Sequence, residues 1–417
     1  MNVLVLGSGG AGRQDAICWA LRKCMGAGDR LYAAPGNPGT ARWATNLEVD
    51  PLDNEAVLKL VRAYKIQLVV VGPEAPLEKG IVDYLNEYAP DVLVFGPTQA
   101  AAKLETSKKE AIDIMAAVKV PHPQSWSFDN PGAVKTFVAS HPGRKFVIKA
   151  DYLAQGKGVY FAETPEKAEK DAKKIKKGNS QRPIVVQEFL TGIEVSVFAL
   201  VDRWNVSKLI AACDYKKLNG QNTGGMGAYA FASFWTPRRE AYVRQYIMLP
   251  IVREMERRGT PYCGVLYAGL MILPNGEIKV LEFNCRLGDP EAQVILSRFQ
   301  GNFLRTVVAC ANGNLLEVPM SWRRKGATVG VVIASEGYPD DPKTGRLVRG
   351  IEEAEKLGCM VFHGATKQTR NGISTVGGRV LTVVAELPTV EQARELAYEG
   401  CSKIKLEGKQ TIDNVGL

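Results

Sequence analysis

Short apolar runs without polar interruption alternate with helical periodicity through the N-terminal part of the chain. Asn2–Leu6 reads as a buried strand, and a helical pattern follows through Ile17, Trp19, Ala20 and Leu21. Arg30–Ala34 is a second strand, Asn54–Tyr64 an amphipathic helix, and Gln67–Val71 and Val92–Phe95 are further strands. Continuous apolar strands with helices between them predict a doubly wound parallel sheet covered on both faces. The strands run into glycine- and proline-rich loops: Gly7–Gly12, Pro35–Gly39, Gly72–Leu77 and Gly96–Thr98. Loops after the carboxyl ends of parallel strands are where such sheets bind ligands. The first of them could serve a dinucleotide, but the second strand ends in Ala33, Ala34 and Pro35 and not in an acidic residue, which sets NAD aside.

The middle of the chain reads differently. A helix runs from Ser107 to about Val118, followed by the Pro121-His122-Pro123 break. Strands are predicted at Phe146–Ala150, Ile184–Phe189 and Gly264–Met271, and a helical region from Gln293 to about Asn312. From Ala327 the pattern becomes strands with Gly-rich corners and a final helix from about Thr389, a small α+β domain.

Length and composition narrow the class. With 417 residues, 46% of them hydrophobic, the chain should form several domains with large cores. No run is apolar enough to cross a bilayer, and MNVLVLGSGG lacks the features of a signal peptide, so a cytoplasmic protein without membrane partners is expected. The eight cysteines form no CxxC pair, which argues for buried thiols over zinc or disulfides. The net charge of +9 can mean nucleic acid, a membrane surface or anionic small substrates. The densest basic run, Lys167–Lys177, is interleaved with Glu166, Glu169 and Asp171 and has no aromatic platform; it reads as a solvated helix and not as a nucleic-acid surface.

The candidate chemistry is concentrated in Lys279–Gln293, KVLEFNCRLGDPEAQ. On a strand Glu282 and Asn284 share a face, and Arg286 continues it if the strand persists. A carboxylate and an amide oxygen suit a hard cation such as Mg2+ that keeps phosphate oxygens in its shell. Arg286 could hold an anionic oxygen nearby. The alternative is an edge strand with a wet polar face. Cys285 faces the other way and reads as core.

This stretch resembles the E-F-N-x-R-x-G-D-P-E signature of the glycinamide ribonucleotide synthetase family of ATP-grasp ligases. The resemblance covers nearly the whole chain. Asn222–Tyr229 matches the family's N-T-G-G-M-G-A-Y without change, and Ser107-Lys108 resembles its G-S-K. It implies an α/β and α+β multidomain fold: an N-terminal doubly wound domain over 1–104, an ATP-grasp domain over 105–325 with a mobile lid over 121–188, and a small C-terminal α+β domain over 326–417. It further implies an ATP-dependent carbon–nitrogen ligase of purine biosynthesis, using Mg2+ or Mn2+, acting on small molecules (an amino acid, a phosphorylated amine and ATP) as a monomer or weak homodimer.

The resemblance also assigns residues. ATP would be held by Lys108, Lys149, Gly156, Lys157 and Gly158, by the hinge Glu188-Phe189-Leu190, and by Glu194 at the ribose. The metal would sit on Glu282 and Asn284. Arg286, Lys216 and Asp289 would be catalytic. Substrates would meet Gly9, Gly10, Glu74, Asp214, Asn222, Thr223, Gly224, Gly225, Met226, Gly288, Pro290 and Glu291, the glycines of 222–229 wrapping a ligand with free amides.

Departures cluster on the amine side. The family's Arg-Glu-His-Ala is Arg13-Gln14-Asp15-Ala16, its Asp-His-Lys-Arg is Asp214-Tyr215-Lys216-Lys217, and its C-terminal Arg-x-Asp-Ile-Gly is Ile412–Gly416. These changes are expected to bear on one acceptor pocket, in which Arg13, Lys216, Lys217 and Arg379 supply donors. Two other readings stay open: a paralogous ATP-grasp ligase with a different amine, in which Tyr215 fills the phosphoribosyl space, and a non-catalytic relative.

Overall fold

The computed structural model describes residues 1–154 and 158–417. Gly156 and Lys157 of the expected lid loop lie outside the described residues. The N-terminal sheet is parallel throughout, in the order Thr45–Asn46, Arg30–Ala34, Asn2–Leu6, Leu68–Val71, Leu93–Phe95. Its uninterrupted apolar runs are explained by two cores. Leu4, Leu6, Val69 and Val71 enter one, while Val3, Val5, Leu68 and Val70 enter the other. Alternate side chains thus leave opposite faces and both are buried.

The lid is a four-stranded antiparallel sheet, ordered Ser125–Phe128, Ile184–Glu188, Phe146–Ala150, Val159–Ala162. Helices Pro131–Ala139 and Pro165–Gly178 pack on it through Val134, Val138, Ala168, Ala172 and Ile175. The second helix carries the lysine run. Lys167 and Lys174 remain about half exposed and pair with the buried Asp171, as a solvated helix face requires.

The base is an eight-stranded sheet. Its order is Ile278–Asn284, Cys263–Ile272, Ile193–Asp202, Ile210–Leu218, Gln221–Ala230, Ala327–Ala334, Arg379–Leu387, Met360–His363. Gly227–Ala230 pairs antiparallel with Thr328–Val331. A separation at 325/326 therefore falls just before a strand of a continuous sheet, and the C-terminal part is welded to the base by main-chain hydrogen bonds.

Two expectations change here. The helical region after Gln293 is broken: helix Glu291–Ile295, a turn at Leu296–Arg298 and strand Phe299–Gly301 precede helix Phe303–Asn312. And Asn222–Tyr229 is not an open glycine loop but part of the strand Gln221–Ala230. Its second half is hydrogen-bonded on both sides. The Gly224 N–H donates to the Tyr338 hydroxyl and the Gly225 N–H to Thr223 Oγ1, so neither amide is free.

Arg298 closes the turn after the site. It is fully buried and donates to the carbonyl oxygens of Arg323, Lys325 and Gly326 and to Thr328 Oγ1, at 2.7 to 3.0 Å. This staples the segment leading into the C-terminal strand. Arg298→Met should leave those oxygens unpaired and cost about 3–5 kcal/mol. The urea midpoint should fall with an unchanged slope; a midpoint like the wild type's would show that the carbonyls find water instead. Among the described residues no helix is long and apolar enough to cross a membrane.

Candidate active site

The site lies on one face of the base sheet, beneath the lid. Its metal-side strand, Ile278–Asn284, is at the sheet edge, as the alternative reading held, but the edge is covered: Val280 N–H donates to Pro121 O at 2.8 Å. A bulge then changes the alternation. Gly269 pairs with Glu282 and Leu270 with Val280, leaving Leu281 as the extra residue. Val280 and Phe283 can therefore both enter the core while Glu282 and Asn284 share the cleft face. Strict period two from Val280 would have put Glu282 in the core. The bulged Leu281 carbonyl oxygen accepts from Lys149 Nζ at 3.2 Å, which brings the lid lysine to the metal-side strand.

Neighbouring strands continue the polar row. Gly269 stands between Glu282 and Ser196 in the ladder and contributes no side chain. Ser196 Oγ lies 2.7 Å from the Tyr267 hydroxyl and donates to Asp214 Oδ1 at 3.2 Å, and Asp214 Oδ2 pairs with Lys216 Nζ at 3.1 Å. The helix Lys108–Ala117 is capped by Ser107. Buried Asp151, at the end of the lid strand, accepts from Ser107 Oγ and from Lys109 N–H. That clamp places the start of this helix beside Lys149.

Electrostatics follow from this convergence. Burial alone would raise the Glu282 carboxyl, but Lys108, Lys216, Lys149 and Arg286 hold it down at about 2. Burial lowers Lys149 to about 8 against the pull of Glu282, with Lys108 adding to the drop. Glu291, buried, is raised to about 7 by burial and by Asp214.

A second charge group sits behind the turn. Arg286 Nε is 3.1 Å from Glu74 Oε2 and Nη2 is 2.8 Å from Glu105 Oε1. Glu105 Oε2 also accepts from Cys285 N–H at 2.7 Å, and Arg13 Nη2 reaches Glu74 at 3.4 Å. Burial works against the Glu74 charge, but Arg286 and Arg13 hold that carboxyl at about 2. Glu74 opens the short helix Glu74–Glu78. Glu105 was missed in the sequence; it ends a helix, Gln99–Thr106, and nothing local marks it as a partner of Arg286. Ser196 and Tyr267 were missed for the same reason. Cys285 is core, as expected.

Other assigned residues fall less directly. Glu194 is exposed on the cleft face and close enough to act on Lys149. The Glu188 carboxylate is occupied by Lys279 at 2.9 Å and by Gln124 N–H at 3.0 Å. The amides of Glu188 and Phe189 donate to Gln124 O and Lys145 O, so these two hinge N–H groups are already taken. Phe189 is exposed and lies edge-on to Phe161 of the lid. Gly158 O accepts from Ala150 N–H, closing the lid loop's base. Asn222 faces the lid across an open cavity of about 560 Å3 lined by Val159, Tyr160, Phe161, Glu163, Thr164 and Lys167. Met226 is fully buried with Leu218, Val332 and Ala334, so its side chain is core and not a substrate contact. Thr223 is buried. Gly288 lies under the Glu291 carboxyl, where a Cβ would come within 2.4 Å. Gly9 and Gly10 lie near Pro35 and Ala365.

The expected single acceptor pocket is not what the structure builds. Tyr215 alternates with Asp214 and Lys216 and leaves the opposite face; its hydroxyl accepts from Gly416 N–H at 3.0 Å. Val415 packs on Gly227 on that side, so the Ile412–Gly416 segment braces the back of the sheet. Gln14 donates to Val5 O and Ala34 O, and Asp15 accepts from Trp43 Nε1 and from His363 N–H. Arg13 donates to Leu287 O at 2.5 Å, and Arg379 is taken by Gly224 O and Asp289. Neither arginine is a free donor. Asp289 is held by Arg379 and by Gln293 Nε2.

A lid sheet closing over a base sheet, with lysines from the lid and the preceding helix converging on a carboxylate–amide pair, defines an ATP-grasp enzyme. The chain belongs to the phosphoribosylglycinamide synthetase family: its N domain matches residues 1–105, its ATP-grasp (A) domain 106–292 and its C domain 328–416. Relatives named phosphoribosylamine–glycine ligase include those of Nostoc sp., 41% identical over 98% of this chain and 97% of its own length, and of Streptomyces coelicolor, 41% identical over 98% and 97%. The crystal structure of phosphoribosylamine–glycine ligase from Thermotoga maritima superposes with a TM-score of 0.84 at 32% identity, covering 100% of both chains. The biotin carboxylase domain of Hydrogenobacter thermophilus 2-oxoglutarate carboxylase, at 17% identity, 98% and 91% coverage and TM-score 0.74, shares the fold.

Proposed function

We infer that this chain is an ATP-dependent ligase that joins the carboxylate of glycine to the amine of 5-phosphoribosylamine. The products are glycinamide ribonucleotide, ADP and phosphate, a step of purine biosynthesis. The observation that carries the reading is the end-to-end match to relatives of that name, with Lys149, Glu282, Asn284 and Arg286 converging in one cleft.

The chemistry runs in two transfers. A glycine carboxylate oxygen attacks the γ-phosphorus of ATP, the bond to the bridging oxygen breaks, and ADP leaves. The amine then attacks the acyl carbon, phosphate leaves and the nitrogen gives up a proton. Lys149 and Lys108 neutralise the phosphates, Glu194 takes the ribose hydroxyls, and the lid excludes water. Arg286, with Nη1 bearing no ion-pair partner among the described residues, steadies the acyl phosphate. Glu291, raised by burial and by Asp214, is placed to accept the amine proton.

The donor set fits a nucleotide-bound Mg2+ or Mn2+. Glu282 is held ionised, and Asn284 on the same strand face would offer its amide oxygen to the ion, while its Nδ2, buried without a hydrogen-bond partner among the described residues, is a donor suited to a phosphate oxygen. Among the described residues no cluster of three or more His, Cys, Asp or Glu surrounds them, so phosphate and water must complete the shell. When bound, the ion supplies charge neutralisation of the phosphoryl oxygens. We place this activity in the cytoplasm, on small-molecule substrates.

Phosphoribosylamine generated in situ, with glycine, ATP and Mg2+, should give glycinamide ribonucleotide within a single turnover. ADP and hydroxylamine-trapped glycyl phosphate without consumption of phosphoribosylamine would transfer the assignment to another amine. The steric case for such an amine has lapsed, since Tyr215 lies outside the cleft.

Lys149 provides a further check. With its ammonium lowered to about 8, ATP binding should raise it again and take up a proton between about pH 8 and its ordinary 10.5. Calorimetry at pH 9 in buffers of different ionisation enthalpy should register this uptake, and the KM for ATP should climb above pH 8. A flat profile with no proton uptake removes Lys149 from the phosphate site.

A further inference from the structure

Through Arg379 the C-terminal domain reaches two substrate-side segments at once. It opens the strand Arg379–Leu387. Nη1 donates to Gly224 O at 2.9 Å and also to Asp289 O, and Nη2 pairs with Asp289 Oδ2 at 3.2 Å. Gly225 O lies 3.4 Å from Nη1. Four oxygens from two segments far apart in sequence thus point at one cation. Without it, three carbonyl dipoles and a carboxylate would repel each other across a narrow gap.

The gap is narrow by construction. A Cβ on Gly224 would lie 3.0 Å from the Arg379 guanidinium carbon. Gly225 has φ +119°, and a Cβ there would lie 2.7 Å from Pro290 Cδ. Tyr338, also from the C-terminal domain, accepts the Gly224 N–H at 3.1 Å. The segments so fixed are the turn that presents Glu291 and the strand paired to that of Asp214. Among the described residues, Arg379 makes no hydrogen bond or ion pair to the lid, Lys108, Lys149 or Glu194.

We propose that Arg379 is a positioning residue for the substrate end of the cleft. It sets the distance between the Gly224–Gly225 backbone and the Asp289–Glu291 turn, so that the C-terminal domain completes the sites for the amino acid and the amine but not the site for ATP. The inference rests on the ligase reading above. A lysine cannot replace the guanidinium, because one ammonium cannot span both segments in the fork geometry.

The test uses the full chain. Arg379→Lys should raise the KM for glycine and for phosphoribosylamine tenfold or more and leave the KM for ATP within twofold, since sub-ångström to 1 Å displacements of bound reactants carry large rate penalties. Arg379→Ala should be worse, and millimolar guanidinium ion should restore it at least fivefold while leaving the wild type unaffected. Tyr338→Phe, which removes one hydroxyl and no charge, should show the same selective rise on a smaller scale and remains informative if the arginine variants fold poorly. Unchanged constants in Arg379→Lys, or an equal rise in all three KM values without rescue by guanidinium, overturns the proposal. If the wild type traps glycyl phosphate yet never consumes phosphoribosylamine, the ligase reading fails on its acceptor. The glycine KM and the rescue then still decide the role of Arg379.

Discussion

Glu282→Gln is expected to abolish Mg2+-dependent ADP formation while the chain keeps its fold. The change is isosteric and the residue lies on a strand held by backbone pairing to Cys263–Ile272, so the local geometry should survive. What disappears is the carboxylate that Lys108, Lys216 and Lys149 act on together. Loss of a supporting contact behind a metal ligand costs about 10–100-fold; loss of the charged ligand itself should exceed that. Turnover at the wild-type rate would remove Glu282 from the metal site. Stability adds an independent readout. The folded carboxyl sits at about 2 against an ordinary 4.5. Its contribution is therefore complete above pH 4.5 and is lost as pH falls towards 2. The wild type should be the more stable protein near neutrality, and the gap to Glu282→Gln should close across that acid window. A constant gap would mean that the carboxyl is not held by the lysines.

Arg286→Met should be the most destabilising single change at the site. The guanidinium is shared between Glu74 and Glu105, and removing it strands the buried Glu105 and leaves Glu74 with Arg13 alone. Breaking a buried pair by deleting one partner typically costs about 3–5 kcal/mol. The pH dependence should become steeper. In the wild type the Arg286 and Arg13 charges keep Glu74 low. Burial already raises Glu105 in the wild type; in the variant it loses the Arg286 charge and rises further, while Glu74 keeps only Arg13 against its burial, so stability should increase more steeply than in the wild type as pH drops from neutrality. Urea titrations at pH 7.5 and 5.5 would settle it: a variant that gains no more stability on acidification than the wild type refutes the shared-cation picture. Catalysis should be lost in the same variant, and Arg286→Lys should recover part of the stability but little of the activity, because an ammonium cannot serve two carboxylates and an acyl phosphate together.

The sequence by itself determined what depends on neighbours along the chain. Both faces of the N-terminal sheet were legible, because a buried parallel strand must be apolar at every position. The common face of Glu282 and Asn284 was legible too, because both lie beyond the bulge at Leu281 and keep their relative phase. Proline, glycine and capping signals placed the helices at Lys108 and Val390 to within a residue or so. The order of the short motifs located the lid and the base. The tertiary structure alone decided which charges meet. Glu105 had the look of an ordinary helix end until Arg286 and the Cys285 amide arrived from the far side of the base sheet. Arg13 and Arg379 had the look of free donors until carbonyl oxygens claimed them. Tyr215 was assigned to the cleft because its neighbours are there, yet strand alternation turns it to the other face, against the C-terminal segment. The reason is common to the first three, Glu105, Arg13 and Arg379. A local pattern says whether a side chain leaves one face or the other, but whether a buried charge is affordable depends on partners supplied by remote elements. Those partners exist only once the sheets have packed.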